Sequence, residues 1–404
     1  MATQQGLTLL KVASLNTWHG LDGRGTFLFG QLESRAERIA RLDRQIACLK
    51  HLKADLLLLQ ELNPLPFRAH WYAQKLGMRA AYVTCNSGIK LGWGPPGNLN
   101  EGLGILFPSD WQHEILGRKR LSGAFRLSPI RISAINTPFL SFQLHESRVA
   151  FAMRFHIPAE RQISGYEGRT SVLVVVTHLH VSHAHTPRND EIIKRAAAES
   201  NLNGEDQDTL RKHFRIANAR RMTEVDNLTS WVESLKRPDE PVILGGDFNC
   251  EPQSVPYNYM LRRDWKDLWD EAQNPQDLSE SATWDPPRNT LTERVKEFQH
   301  SAAHKNEQIA NILKKCDALP RRIDFLFAQS AKTNPAHKRF QLGSSGLLKS
   351  IKRFGYLSGN PISPETTVCD DFSTYKERQE FSHLGGDDLQ FISDHFGLVA
   401  EFGI

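Results

Sequence analysis

The feature that most constrains this chain is a set of short apolar runs, each ending in a side chain that can offer an oxygen or a nitrogen. Leu9 to Leu15 runs into Asn16, the leucines Leu56 to Leu59 lead through Gln60 to Glu61, and Val172 to Val176 leads through Thr177 to His178. Val242 to Leu244 runs into Gly245-Gly246-Asp247-Phe248-Asn249, Arg322 to Ala328 carries Asp324, and Phe391 to Phe402 is entered through Ser393-Asp394-His395. Continuous apolar runs of this length, bounded by turn formers, read as strands buried on both faces. A strand that ends in a ligand-type residue delivers it to the rim of a sheet, where segments distant in sequence converge.

Between these runs lie amphipathic helices. From Glu33 to Lys53 the apolar positions Ile39, Leu42, Ile46, Leu49 and Leu52 recur at three- and four-residue steps, the spacing of one helical face. Glu205 to Lys236 reads the same way, with Leu210, Phe214, Ile216, Ala217, Met222, Val225, Leu228 and Trp231. Further strands are expected at Gly102 to Phe107, Val149 to Phe155 and Ser171 to Thr177. Strand–helix–strand units followed by antiparallel pairs predict an α/β (α+β) fold with two packed sheets and helices outside. Hydrophobic residues at 40% and charged residues at 24% suffice for a large core. We expect one domain over 1–404, with insertions near 86–100, 183–205, 274–318 and 332–390 where Gly, Pro and polar residues concentrate.

Bulk charge narrows little. Lys plus Arg number 50 against 46 for Asp plus Glu, a formal charge of +4 that permits an anionic partner without demanding one. Cys48, Cys85, Cys250, Cys316 and Cys369 are scattered, with no C-x-x-C pair, which argues against a disulfide framework or zinc ribbon and for a reducing compartment. No signal peptide is visible, no apolar run is long enough to span a membrane, and a soluble cytoplasmic protein is the expectation. The sequence is silent on oligomeric state.

A hard cation such as Mg²⁺ takes oxygen ligands from one or two carboxylates plus water and substrate phosphate, and Asn16, Glu61 and Asp394 are of that type. Phosphodiester hydrolysis also needs a group to orient or deprotonate water and donors to hold the developing charge. Asp247, Asn249, His178 and His395 can supply those. Taken singly, each has a structural alternative: Glu61 as a turn former or cap, Asp324 as an ordinary ion-pair partner, and Gly-Gly-Asp-Phe-Asn as a simple turn. His178, His180, His183 and His185 invite a zinc reading, but no nearby cysteine completes such a site.

The ordered set Leu15-Asn16-Thr17-Trp18, Leu59-Gln60-Glu61, Thr177-His178-Leu179, Gly246-Asp247-Phe248-Asn249, Arg322-Ile323-Asp324-Phe325 and Ser393-Asp394-His395 resembles the motifs of the endonuclease/exonuclease/phosphatase superfamily, the DNase I-like enzymes. The resemblance implies a four-layered α/β sandwich of two mixed sheets flanked by helices. It implies that Glu61, with Asn16 and Asp394, binds Mg²⁺ or Mn²⁺. It implies that Asp247 and Asn249 position the attacking water and a phosphate oxygen, that His178 bonds the scissile phosphate, and that His395 paired with Asp324 acts as base or phosphate clamp. Whether Asp247 or His395 takes the water's proton stays open at this point.

The implied activity is divalent-metal-dependent hydrolysis of phosphodiesters by in-line attack of water. Nucleic acid is placed ahead of a sphingolipid, phospholipid or inositol phosphate headgroup, and a catalytically inactive binding module is the alternative of another class. A nuclease would use basic and aromatic residues near the cleft, for which Arg118, Lys119, Arg120, Arg126, Arg131, Trp93 and Trp111 are candidates. A lipid enzyme would use an exposed apolar loop, for which Gly92-Trp93-Gly94-Pro95-Pro96 is the candidate. The Lys332 to Gln390 segment is a candidate carrier of specificity.

Overall fold

The computed structural model describes residues 10–20, 33–87, 89–90, 100–123, 126–132, 137–143, 147–158, 171–181, 186–200, 203–238, 240–271, 277–287, 289, 291–292, 307–329, 354–357 and 393–402. The strands are β1 (Leu10–Asn16), β2 (Leu56–Leu62), β3 (Arg79–Ser87), β4 (Ile89–Lys90), β5 (Asn100–Phe107), β6 (His113–Ser122), β7 (Arg126–Ile132), β8 (Thr137–Gln143), β9 (Arg148–His156), β10 (Ser171–His178), β11 (Val242–Asp247), β12 (Lys266–Asp267), β13 (Asp324–Gln329), β14 (Phe354–Leu357) and β15 (Gly397–Phe402). The helices are α1 (Arg35–Leu52), α2 (Phe67–Leu76), α3 (Pro187–Ser200), α4 (Gly204–Leu235), α5 (Val255–Arg262), α6 (Leu268–Glu271), α7 (Leu278–Ser281) and α8 (Glu307–Asp317).

Two six-stranded sheets form the frame, ordered β14-β15-β1-β2-β5-β3 and β12-β13-β11-β10-β9-β6. Both are mixed: β1 runs parallel to β2 and antiparallel to β15, and β10 runs parallel to β11 and antiparallel to β9. A three-stranded sheet, β4-β8-β7, is an addition that sequence reading did not anticipate.

The apolar runs explain the layering residue by residue. In β2, Leu56 and Leu58 join the core between the sheets, whereas Leu57 and Leu59 face the α1 side with Leu42, Ile46, Leu49 and Tyr72. In β10, Val172, Val174 and Val176 enter the same central core, while Leu173 and Val175 meet Val225, Leu228 and Val232 of α4. Alternate side chains of one strand leave opposite faces, so a run with no polar gap requires cover on both. Helix, sheet, sheet, helix is the result, and the expected four-layered α/β sandwich is the fold.

Local signals set the boundaries. Ser34 caps α1: its hydroxyl accepts from the Glu37 N–H at 3.2 Å while Glu37 Oε2 accepts from the Ser34 N–H at 2.6 Å, a capping box. Ile39 and Ile216, assigned to apolar faces from spacing, are instead half exposed. Gly245 leaves no room for a side chain against the facing sheet, since a Cβ there would meet Leu58 Cδ1 at 2.6 Å, and Leu326 Cδ2 beside it at 2.8 Å. Gly246 has φ +154°, and a Cβ would lie 2.0 Å from the Thr177 carbonyl oxygen.

Two of the expected insertions pack together. Residues 183–205 include α3 and 274–318 include α8, and Ile193 and Ala196 of α3 bury against Ile309, Ile312, Leu313 and Cys316 of α8. From 332–390 only β14 is described, paired antiparallel to β15; the rest, like Gly92 to Pro96, His183 and His185, lies outside the described residues. Among the described residues no helix is long and apolar enough to cross a membrane.

Candidate active site

Strand register brings the second sheet's polar residues into one row. His178 is the ladder partner of Asp247 across β10 and β11, and Asp247 is the partner of Asp324 across β11 and β13. His178 Nε2 lies 3.4 Å from Asp247 Oδ2. Asp247 Oδ1 accepts the Asn249 N–H at 2.8 Å, and the Asn249 side-chain amide donates to the Leu179 carbonyl at 3.1 Å. Asn249 takes a left-handed backbone, φ 49°, which asparagine tolerates better than most residues.

The first sheet supplies the facing rim. Asn16, last in β1, donates through Nδ2 to Glu61 Oε1 at 2.9 Å and to Asp247 Oδ2 at 3.3 Å. Glu61 also accepts from the His19 N–H at 3.1 Å, with His19 Nε2 3.5 Å away. Its φ of 56° and the register shift between Leu59 and Leu62 turn it out of the regular ladder.

The turn before β15 closes the site. Ser393 Oγ donates to the Asn16 carbonyl at 2.6 Å and accepts from the His395 N–H at 3.3 Å. His395 Nδ1 is 2.8 Å from Asp324 Oδ2, and its Nε2 lies 3.8 Å from Asp247 Oδ2. The Trp284 ring stands edge-on to His395 at 5.2 Å. All eight residues singled out from sequence therefore converge, and all are buried except the partly covered Glu61.

Electrostatics follow from crowding charge away from water. Burial opposes ionisation of Glu61, but His19, His178 and the Asn16 amide outweigh it and hold the carboxyl down to about 2. Burial first, then Asp324, pushes Asp247 up to about 7 against the pull of His395. Burial likewise lifts Asp394 to about 6, opposed mainly by His395 and reinforced by Glu61. Burial would lower His395, yet Asp324, Asp394 and Asp247 together raise it well above 6.5. The imidazole is thus the positive member of an acidic cluster.

Ligand atoms of Asp247, Asp324 and His395 lie within 4.8 Å of one another, a set that could hold a metal on distance alone. Asp324 and His395 are already spent on each other at 2.8 Å, so this set reads better as an imidazole fixed by a carboxylate. Asn16 and Glu61, bonded at 2.9 Å, and Asp394, whose ionisation Glu61 opposes, are the separate oxygen-bearing residues.

Several supports were not singled out from sequence. Thr283 Oγ1 accepts the backbone N–H groups of Ile323 and Asp324 at 3.0 and 3.1 Å, and the Asn289 amide donates to the Ser393 carbonyl at 2.8 Å. Glu101 Oε1 lies 4.0 Å from His178 Nδ1. His19 alone carried a local signal, directly after Asn16-Thr17-Trp18. Conversely, Trp111 is buried against Phe155 and cannot stack on a ligand. Arg118, Lys119 and Arg120 lie exposed on β6, the edge strand of the second sheet, where charge blocks further strand pairing.

Residues 13–395 match the sequence profile of the Endonuclease/Exonuclease/phosphatase family. The chain belongs to that family. No curated protein matches the sequence. Among solved structures it is similar to truncated Caenorhabditis elegans TDP2, with 15% identity, coverage of 98% of this chain and 98% of that one, and a TM-score of 0.47. It is also similar to the Bacteroides thetaiotaomicron mannosyl-6-phosphatase Bt3783, with 13% identity, 98% and 100% coverage and a TM-score of 0.46. For the human Nocturnin catalytic domain the values are 12%, 98%, 93% and 0.44. The assignment rests on the family match, and membership makes the chain a relative of enzymes that act on phosphoesters.

Proposed function

We propose that this family member is a divalent-metal-dependent phosphoesterase that hydrolyses phosphodiester bonds by in-line attack of water, with nucleic acid the first substrate class to test. The observation that carries the reading is Asp247 Oδ2, on which Asn16 Nδ2, His178 Nε2 and His395 Nε2 converge at 3.3, 3.4 and 3.8 Å.

The donor chemistry fits a hard cation. Glu61 and Asp394 are carboxylates, Asn16 adds an amide oxygen, and Asp394 is lifted to about 6 by burial first with Glu61 adding to it, so a divalent ion would stabilise a carboxylate held away from water. Mg²⁺ or Mn²⁺ is the ion of choice for an all-oxygen set. When bound it would supply Lewis-acid stabilisation to a phosphoryl oxygen.

The remaining work falls to this chain's own side chains. Asp247, fixed by the Asn249 N–H, orients the attacking water and accepts its proton as the new phosphorus–oxygen bond forms and the ester bond breaks. His178 and His395 donate to phosphate oxygens as charge builds, and Asp324 holds the His395 ring in place and favours its charged form. A positioned acid or base of this kind is worth about 10²–10⁴ in rate.

The test is Mg²⁺-dependent hydrolysis of DNA, RNA, sphingomyelin and bis(p-nitrophenyl) phosphate by the native chain, by His395→Ala and in EDTA. Turnover that needs metal and falls at least about 10²-fold in His395→Ala is the expected outcome. Turnover indifferent to EDTA would sink the metal assignment, and no turnover of any ester would favour a binding module.

A further inference from the structure

A cavity of about 320 Å³, its mouth included, adjoins Glu61 and His19 and is lined by three arginines, Arg38, Arg41 and Arg68. None of them belongs to the constellation described above. Arg41 is fully engaged: Nε and Nη2 form a bidentate pair with Glu33 at 2.9 and 2.5 Å, and Nη1 donates to the Thr17 carbonyl at 3.0 Å. That pair alone accounts for the Glu33 charge. Arg38 approaches the same carboxylate only with Nε, at 3.4 Å, and its buried Nε and Nη2 make no hydrogen bond. Arg68 gives Nε to the Asn63 carbonyl at 3.2 Å and lies over the Trp71 ring at 5.3 Å.

A purely structural role explains Arg41; Arg38 keeps buried donors without a hydrogen-bond acceptor, and Arg68 commits its Nε to the Asn63 carbonyl. Three guanidiniums in one cavity repel each other: Arg68 is lowered by burial first, and Arg41 and Arg38 add to the effect. Among the described lining residues the formal charge stays positive even with Glu61 counted. Buried donors without acceptors are costly to keep, and an anion in the cavity would satisfy them. Guanidinium forks match the oxygens of a phosphate, which can accept from more than one arginine at once. The lining includes the buried residues Leu42, Arg41 and Tyr72, so the cavity reaches into the protein interior, which suits the end of a chain better than a continuous polymer.

We infer that this cavity is a second anion subsite, which takes a terminal phosphate monoester of the substrate while the scissile phosphodiester lies at the Asp247 and His395 rim. The inference rests on the proposed phosphodiesterase reading and narrows it: the substrate is a diester that ends, close to the cleaved bond, in a phosphate group.

Two measurements test it. In the first, kcat/KM is compared for dithymidylate carrying a 5′-phosphate, a 3′-phosphate or neither. The native chain is expected to favour one phosphorylated form at least tenfold, through KM rather than kcat, and Arg38→Gln and Arg68→Gln are expected to abolish that preference, with Arg68→Lys restoring part of it. Equal use of all three substrates, or a preference that survives both glutamine variants, overturns the subsite. In the second, inorganic phosphate is titrated in EDTA while the thermal midpoint is followed. The midpoint should rise in the native chain and in His395→Ala but not in Arg38→Gln or Arg68→Gln. This readout needs no catalysis, so a chain that hydrolysed no ester would refute the proposed function while the titration still decided the subsite. A midpoint unmoved by phosphate in the native chain, or moved equally in both arginine variants, overturns it.

Discussion

The two sheets reach the same cleft by different means. On the second sheet, His178, Asp247 and Asp324 are ladder partners at the ends of regular strands, so backbone hydrogen bonds fix their spacing. On the first sheet, Glu61 leaves the ladder through a register shift and a left-handed backbone, and Trp18 is left-handed as well. That conformation costs roughly 1–2 kcal/mol in a residue with a side chain. The difference is a division of labour: regular strands hold Asp247, proposed to take the water's proton, with His178 and Asp324 beside it, and irregular backbone holds Glu61, proposed to meet a cation. A cation can pull a ligand into place when it binds, whereas a proton-transfer geometry must already exist.

Two substitutions test this contrast most directly. Asp324→Asn removes the carboxylate that fixes His395, and is expected to lower kcat about 10²-fold or more at saturating Mg²⁺ with no recovery at higher metal. Glu61→Gln is expected instead to raise the Mg²⁺ needed for half-maximal rate beyond the roughly 10–100-fold typical of losing an outer-shell partner. A magnesium titration of both variants on bis(p-nitrophenyl) phosphate separates them. If both respond to added metal alike, the two rims do not divide the work.

The same contrast governs what the sequence could disclose. Strand-end residues such as His178 and Asp247 were legible because a buried strand writes itself as an unbroken apolar run, and its end marks a rim. Helices α1 and α4 were legible from spacing, although Ile39 and Ile216 lie off the buried stripe. Helix α2, which begins directly after Pro66, was hidden because Asn63, Pro64 and Pro66 read as loop breakers. The left-handed turn at Glu61 leaves no mark in residue type, since glutamate is not a residue that favours it. Thr283, Asn289 and Trp284 act through contacts with strands and turns distant in sequence, which no local pattern encodes. Arg38 and Arg41 belong to α1 and Arg68 to α2, so only the packed helices reveal a shared cavity.

The regularity of the second sheet has its own support, and removing it should cost stability. Arg322, two residues before β13, donates to Asp267 at 2.8 Å and to Asp270 at 3.0 Å, while the Tyr257 hydroxyl lies 2.9 and 2.8 Å from the same two carboxylates. Arg322→Met leaves Asp267 buried without its cation and is expected to cost about 3–5 kcal/mol in urea unfolding at pH 7. The pH dependence has a definite sign. Burial, opposed by Arg322, raises Asp267 from 3.8 to about 6, so between those values the folded chain keeps a proton that the unfolded chain has released. Its contribution to stability is full below pH 4 and falls as pH rises to about 6. Without Arg322 the carboxyl rises further, so the deficit of the variant should widen above pH 6. A deficit that stays constant from pH 5 to 8 would remove Asp267 from this account.

The smallest effect tests whether β13 is held from outside its ladder. Thr283 belongs to a segment expected from sequence to be an insertion, yet its hydroxyl oxygen accepts two backbone N–H groups at the start of β13, including that of Asp324 itself. Thr283→Val keeps the shape and removes the acceptor, stranding two buried donors at about 1–3 kcal/mol for the first and less for the second if one finds water. Stability should fall by that amount, and kcat should fall several-fold with KM unchanged, because Asp324 and His395 lose their fixed spacing rather than their chemistry. Thr283→Ser keeps the acceptor and should recover most of both. Were Thr283→Val to lose stability with kcat intact, the ladder alone would hold the row of His178, Asp247 and Asp324, and the contrast between the two rims would be sharper than drawn.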